Sequence, residues 1–201
     1  MKIGIGGIRF SPELVQYAHH AVSPADRSLT DLLRRLAEHR INLSFACTSV
    51  VGETVHSTFC LAAGDFAAVE MLLDAVPSQD EHASCRSPAG AGDPGGPSLR
   101  ARFEITHRVG TLTIFPHRRS LLLLGHVVET LAQAGIAIHS MCTSISALAI
   151  NIDYLQLDRA VEALDKIVEL PENHAPYRPE LCIRQIALPS FRPNSDMQWK
   201  Q

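Results

Sequence analysis

The sequence predicts an α+β protein made of two ferredoxin-like βαββαβ domains in tandem, each a four-stranded antiparallel sheet with helices on one face. Three observations lead there. LAEHRINLSFACTS, Leu36 to Ser49, recurs without a gap as LAQAGIAIHSMCTS, Leu131 to Ser144, 95 positions later. Each copy is preceded by apolar residues at i, i+3, i+4, i+7, namely Leu29, Leu32, Leu33 and Leu36, then Leu124, Val127, Val128 and Leu131, which is the stripe of an amphipathic helix. After each stripe the apolar period drops to two, as in a strand with one buried face.

The elements follow in order. Lys2 to Phe10 reads as the first strand of copy one, and Ser11 to Ala25 as an insertion in which Glu13 to Ala21 forms a short helix. Beyond the first stripe, Ile41, Leu43, Phe45 and Cys47 share a strand face, and Val55, Ser57, Phe59 and Leu61 continue it as a hairpin. Asp65 is placed to accept the free amides of a second helix that stops at Pro77. From Ser78 to Arg100, Gly, Pro, Ser and Ala displace large apolar residues, so this stretch reads as a flexible insertion. Arg102 to His107 is the closing strand.

Copy two repeats the plan. A strand at Thr111 to Phe115 precedes the helix, Ile136, Ile138, Ser140 and Cys142 share a face, and Leu148, Ile150, Ile152 and Tyr154 complete the hairpin. Asp158 opens a second helix that stops at Pro171, and Leu181 to Leu188 is the last strand. The expected organisation is a first domain at 1–108 with the insertion at 78–100, a second at 109–190, and a tail at 191–201 carrying the one tryptophan, Trp199.

Helices on one side leave the other sheet face half polar. Its residues would be Asn42, Ser44 and Thr48, then Ala137, His139, Met141, Thr143, Ala149, Asn151 and Asp153. Such a face seeks a partner. Units this small gain stability by docking, so the halves are expected to share an interface and the protein to form a homodimer.

Composition narrows the function. Lys+Arg number 18 against Asp+Glu 21, a net charge of -3, with the basic residues scattered, so no nucleic-acid partner is expected. Arg34 and Arg35 read as a solvated helix face, and His117, Arg118 and Arg119 form the one basic loop of interest. No apolar run reaches the ~20 residues of a membrane span and the N-terminus lacks a signal-peptide core, which points to a cytoplasmic protein without a membrane partner. Five cysteines without a Cys-x-x-Cys pair fit reduced thiols, with Cys47 and Cys142 acting as small apolar groups on the core faces of their strands.

Chemical motifs are sparse. Gly4, Gly6 and Gly7 lack the complete dinucleotide-binding pattern and read as strand glycines. The ten histidines include no i, i+4 pair beside a carboxylate, so neither metal nor cofactor is expected. Ser49 and Ser144 sit at strand ends without a recurring His and Asp, and Glu53, Asp65, Asp153 and Asp158 fall at different points of the fold. The reading is of a non-enzyme.

The repeat resembles a tandem of ACT domains, specifically the regulatory half of aspartokinase, over most of Arg27 to Ala75 and Glu104 to Val168. RVGTLTIFP is similar to the strand that opens that family's second ACT domain, and LAQAGIAIHSMCTSISALAINIDYLQLDRAVEAL to its helix, hairpin and following Ala-Val helix. INLSFACTS keeps Asn42 where the family often has an effector-contacting Asn. The resemblance implies a free amino acid held between paired modules by the loop before the first helix, here Pro116, His117, Arg118, Arg119 and Ser120, and by strand residues Asn42, Ser140, Thr143 and Ser144. Arg118 or Arg119 would take a carboxylate bidentately. The family's Pro-Gly at the helix start is replaced by Leu121-Leu122 in copy two and Asp26-Arg27 in copy one. The kinase portion has no counterpart in this sequence. The alternative reading is a dimerisation module, or a regulatory partner of a separate amino-acid biosynthesis enzyme such as aspartate kinase.

Overall fold

The computed structural model describes residues 2–21, 27–74, 99–116 and 121–172. In chain order the elements are β1 (Ile3–Gly4), β2 (Gly7–Phe10), β3 (Leu14–Ala21), α1 (Ser28–Glu38), β4 (Leu43–Val51), β5 (Thr54–Ala62), α2 (Phe66–Asp74), β6 (Phe103–Phe115), α3 (Leu121–Gln133), β7 (Ile138–Thr143), β8 (Leu148–Asp153), α4 (Leu157–Leu164) and β9 (Val168–Glu169). Short 3-10 turns, Ala63–Asp65, Leu99–Arg102 and Tyr154–Gln156, lead into α2, β6 and α4.

The strands run β4-β5-β3-β6-β8-β7 in one sheet, with β2 also paired to β6. β6 belongs to both halves: Phe103 to Val109 pairs with β3, and Val109 to Ile114 with β8, while β2 lies along its last four residues. Module one is therefore β4-β5-β3-β6 and module two β7-β8-β6-β2, two ferredoxin-like units joined through one strand. Both have the expected α+β architecture. β1 pairs in parallel with β9 beneath module two.

Each module closes its own core on the helix side. In module one Leu32 and Leu36 of α1 and Val69, Leu72 and Leu73 of α2 bury against Tyr17, Phe59 and Leu61. In module two Leu123, Val127 and Leu131 of α3 and Leu157, Ala160 and Leu164 of α4 bury against Leu112, Ile114, Ile150 and Ile152. The buried stripe of α3 thus uses Leu123, whereas Val128 stays 36% exposed.

Several expectations need correction. Lys2 to Phe10 is not the first strand of module one; it is broken at Gly6, and β2 supplies the fourth strand of module two. Ile5, Ile8 and Phe10 bury in that module's core, and Gly6 lies so close to Pro116 that an added Cβ would sit 2.2 Å from its Cδ. The first strand of module one is β3, where a short helix was expected. Being central between β5 and β6, it is covered on both faces, so Leu14, Val15, Gln16 and Tyr17 are all buried and show no period of two. The two strands expected around residues 102–115 are one, carried through by a bulge at Arg108 (φ 58°). Asp158 lies within the first turn of α4, behind Gln156 at the N-cap, and Asp65 ends the 3-10 turn that leads into α2; the side chain that caps is Asp153, which accepts from the Leu155 N–H at 2.8 Å at the start of the 3-10 turn before α4. Pro77, residues 78–98, Leu181 to Leu188 and the tail lie outside the described residues.

Candidate functional site

The site begins with two bulges. Pairing shifts between Leu43 and Phe45 on β4, and between Ile138 and Ser140 on β7, which are equivalent points of the repeat. An extra residue turns every later side chain to the opposite face. Ile41 and Leu43, like Ile136 and Ile138, therefore lie beneath the helices, while Phe45, Cys47, Ser140 and Cys142 turn to the other face. The expectation that Phe45, Cys47, Ser140 and Cys142 share the helix-side face is corrected accordingly. Thr48 and Met141 move the other way: Thr48 bonds the buried Ser57, and Met141 packs against the core of module two.

The open face of each module finds its partner in the other. Leu14, Phe45, Cys60 and Val109 form a buried cluster there, with Cys47, Cys142 and Ala149 packed against it. Beside it runs a polar chain. The Thr111 hydroxyl donates to Asn151 Oδ1 at 2.6 Å, and Asn151 Nδ2 donates to Ser140 Oγ at 2.8 Å and approaches Gln16 Oε1 at 3.4 Å and Cys60 Sγ at 3.3 Å. Ser140 Oγ in turn donates to Gln16 Oε1 at 2.6 Å. Asn151 is fully buried and Gln16 and Thr111 nearly so, so these bonds are made away from water, where breaking one leaves a costly orphan. Burial pushes the Cys60 thiol up to about 12, partly offset by the Asn151 amide.

The candidate ligand residues divide into three groups. Pro116 directly follows β6, and Thr143 ends β7; β8 starts between them, with Leu148 opposite both Ile114 and Thr143. Ser144 follows and staples the hairpin turn, its backbone N–H donating to the Ala147 carbonyl at 2.8 Å and its Oγ accepting from the Ala147 N–H at 3.1 Å. Pro116, Thr143 and Ser144 thus share one end of module two. Ser140 is deeper and already engaged with Gln16 and Asn151. Asn42 precedes β4 in the other module. His117, Arg118, Arg119 and Ser120 lie outside the described residues.

The sequence reading missed Gln16, Thr111, Cys60 and Arg9. Arg9 on β2 sets its guanidinium 4.7 Å from the centre of the Phe115 ring, placing a described cation beside the Pro116 end. Leu121, Leu122 and Ile145, exposed by 83%, 59% and 75%, stand at that same end. Among the described residues no group of three or more His, Cys, Asp or Glu is placed to hold a metal ion, and no helix is long and apolar enough to cross a membrane.

No protein-family model matches the sequence, and no curated protein matches it. Solved structures do. The ligand-free regulatory subunit of aspartate kinase from Thermus thermophilus superposes with a TM-score of 0.62 at 13% identity, over 82% of this chain and 99% of that one. A structure of aspartokinase alpha and beta subunits gives 0.61 at 19% identity, over 81% and 97%. Aspartate kinase from Synechocystis gives 0.58 at 17%, with 85% of this chain matching 28% of that longer one. At these identities the likeness is one of fold: the chain has the fold of an aspartate kinase regulatory subunit.

Proposed function

We propose that this chain is a non-catalytic regulatory protein whose paired modules bind a free amino acid or a related small metabolite, binding that shifts the population of one module packing over another. The observation that carries the reading is the architecture: two like modules sharing β6 and a buried polar chain, in the fold of the regulatory subunit of aspartate kinase from Thermus thermophilus. A ligand that favours one relative placement of the modules would act on that chain directly. The proposed site is the Pro116, His117, Arg118, Arg119 and Ser120 loop with Thr143 and Ser144 from the adjoining hairpin. Arg118 or Arg119 would grip the carboxylate, because a guanidinium offers two parallel donors to its two oxygens. Ser140 is assigned to transmission, since its hydroxyl is bonded into the chain between modules. Asn42 would have to contribute from a second copy, and the edge strands β4 and β7 are the surfaces proposed for that homodimer.

A thermal-shift screen against the twenty amino acids tests the reading. A ligand at 100 times its Kd adds about 2.7 kcal/mol, several degrees in a protein of this size. Arg119→Ala together with Arg118→Ala should abolish the shift, and a flat response to all twenty would remove the proposal. The second reading is a regulatory partner that docks on a separate amino-acid biosynthesis enzyme such as aspartate kinase. It is favoured by Leu121, Leu122 and Ile145, a set of exposed apolar residues at one end of module two. Its mark would be enzyme binding lost on Leu121→Glu with any ligand response intact.

A further inference from the structure

Cys47 and Cys142 occupy the same position in the two repeats, 95 residues apart, and the fold brings them together. Leu14 and Val109, also 95 apart, pair directly in register where β3 meets β6. The two modules are therefore related by a local pseudo-two-fold axis through that point, and a residue near such an axis meets its own counterpart. Both cysteines pack against the cluster that Leu14 and Val109 help to form. The strands that carry them, β4 and β7, come into contact there. These strands are the opposite ends of the strand order, so the only route between these edges is across the interface. Both side chains are partly exposed, whereas Cys60 is fully buried and held by Asn151.

We propose that Cys47 and Cys142 are an oxidation site, forming a reversible disulfide that clamps β4 of module one to β7 of module two when the chain meets a small-molecule disulfide such as oxidised glutathione. The thiolate of one cysteine attacks a sulfur of the oxidant, making a mixed disulfide and expelling one small thiolate. The second cysteine, as thiolate, attacks the protein sulfur of that mixed disulfide and expels the other. Two protein thiols are oxidised to one disulfide, the oxidant is reduced to two small thiols, and the two protein protons end on them. Burial and the neighbouring Cys142 hold the Cys47 proton more tightly than usual, so the reaction should quicken as pH rises. The inference is independent of ligand sensing: the bond can form whether or not an effector binds.

The test uses the full chain, fully reduced and then equilibrated with oxidised glutathione at mildly alkaline pH. Peptide mapping without reductant should recover Cys47 joined to Cys142. Thermal unfolding should move up by several degrees, because the crosslink closes a long loop, and should return on adding dithiothreitol. Cys47→Ser and Cys142→Ser should each abolish the shift, while Cys60→Ala should keep it. Mapping the unsubstituted chain decides the matter even where a variant folds poorly. Recovery of both cysteines as free thiols or as separate glutathione adducts would overturn the proposal, as would a crosslink through Cys85 or Cys182 instead.

Discussion

The two modules share one topology but are not threaded alike. Module one is written in chain order from β3 to the first half of β6. Module two starts on the second half of β6 and receives its fourth strand from the N-terminus, as β2. The same sheet order results from a continuous segment in one case and a discontinuous one in the other. What the fourth position requires is a short antiparallel strand with an apolar face toward the helices, and Ile8 and Phe10 meet that requirement from a distance of about a hundred residues.

The largest expected effect breaks this comparison outright. Deleting residues 2–10 removes the buried Ile5, Ile8 and Phe10 from module two and leaves module one's core residues in place. Three such losses at roughly 2–5 kcal/mol each approach or exceed the whole stability of a typical domain. Hydrogen exchange should show β7, β8 and α4 unprotected in the truncated chain while β4 and β5 retain protection. Equal loss in both modules would mean that they fold as one unit through β6.

A finer comparison uses one residue in each copy. Leu36 and Leu131 are equivalent and nearly fully buried, at 2% and 0% exposure. Leu36→Ala and Leu131→Ala should each cost about 3 kcal/mol in urea unfolding. A twofold or greater disparity would show that one core collapses around the cavity and the other does not.

The interface between the modules has its own signature in pH. Cys60 is fully buried, and its thiol is raised from 9.0 to about 12, mainly by burial. Below about pH 9 the thiol is neutral in folded and unfolded chains alike, and its contribution is intact. Above that, the unfolded chain ionises while the folded one does not, so stability falls as pH rises toward about 12, by up to about 1.4 kcal/mol per pH unit. The stability advantage of wild type over Cys60→Ala should therefore shrink by about 1 kcal/mol between pH ~8 and pH ~10. A constant gap would mean that water reaches the cluster.

The same contrasts explain what was legible. The repeat, the helices and the hairpins were, because α1 and α3 carry one-sided stripes and β4, β5, β7 and β8 alternate. β3 was not, since a strand buried on both faces has no alternation to read, and its neighbour β2 was assigned to the wrong module because pairing partners distant in sequence leave no local mark. The bulges were equally silent: Ser44 and His139 look like ordinary strand residues, yet the shift beside each one reversed the facing of Cys47 and Cys142. Of the candidate residues named from the sequence, Pro116, Thr143 and Ser144 share one end of module two. Gln16 was hidden inside β3, and its bond to Ser140 joins residues 124 positions apart.

The smallest effect tests whether equivalence reaches the backbone. α1 and α3 end alike: the Ile41 N–H bonds the Leu36 carbonyl at 2.8 Å, and the Ile136 N–H bonds the Leu131 carbonyl at 2.9 Å. This wrapped end needs one residue in the left-handed region, which is Arg40 (φ 58°) in copy one and Gly135 (φ 68°) in copy two. A side chain there costs roughly 1 kcal/mol that glycine avoids. Arg40→Gly should raise stability by about 1 kcal/mol, and Gly135→Ala should lower it by a similar amount. Space plays no part in the second change, because an added Cβ at Gly135 meets nothing nearer than Arg159 Nη2 at 4.0 Å. Opposite shifts in urea midpoint at unchanged slope would place both effects in the same backbone angle; a loss of stability in Arg40→Gly would show that the arginine's own contacts outweigh it.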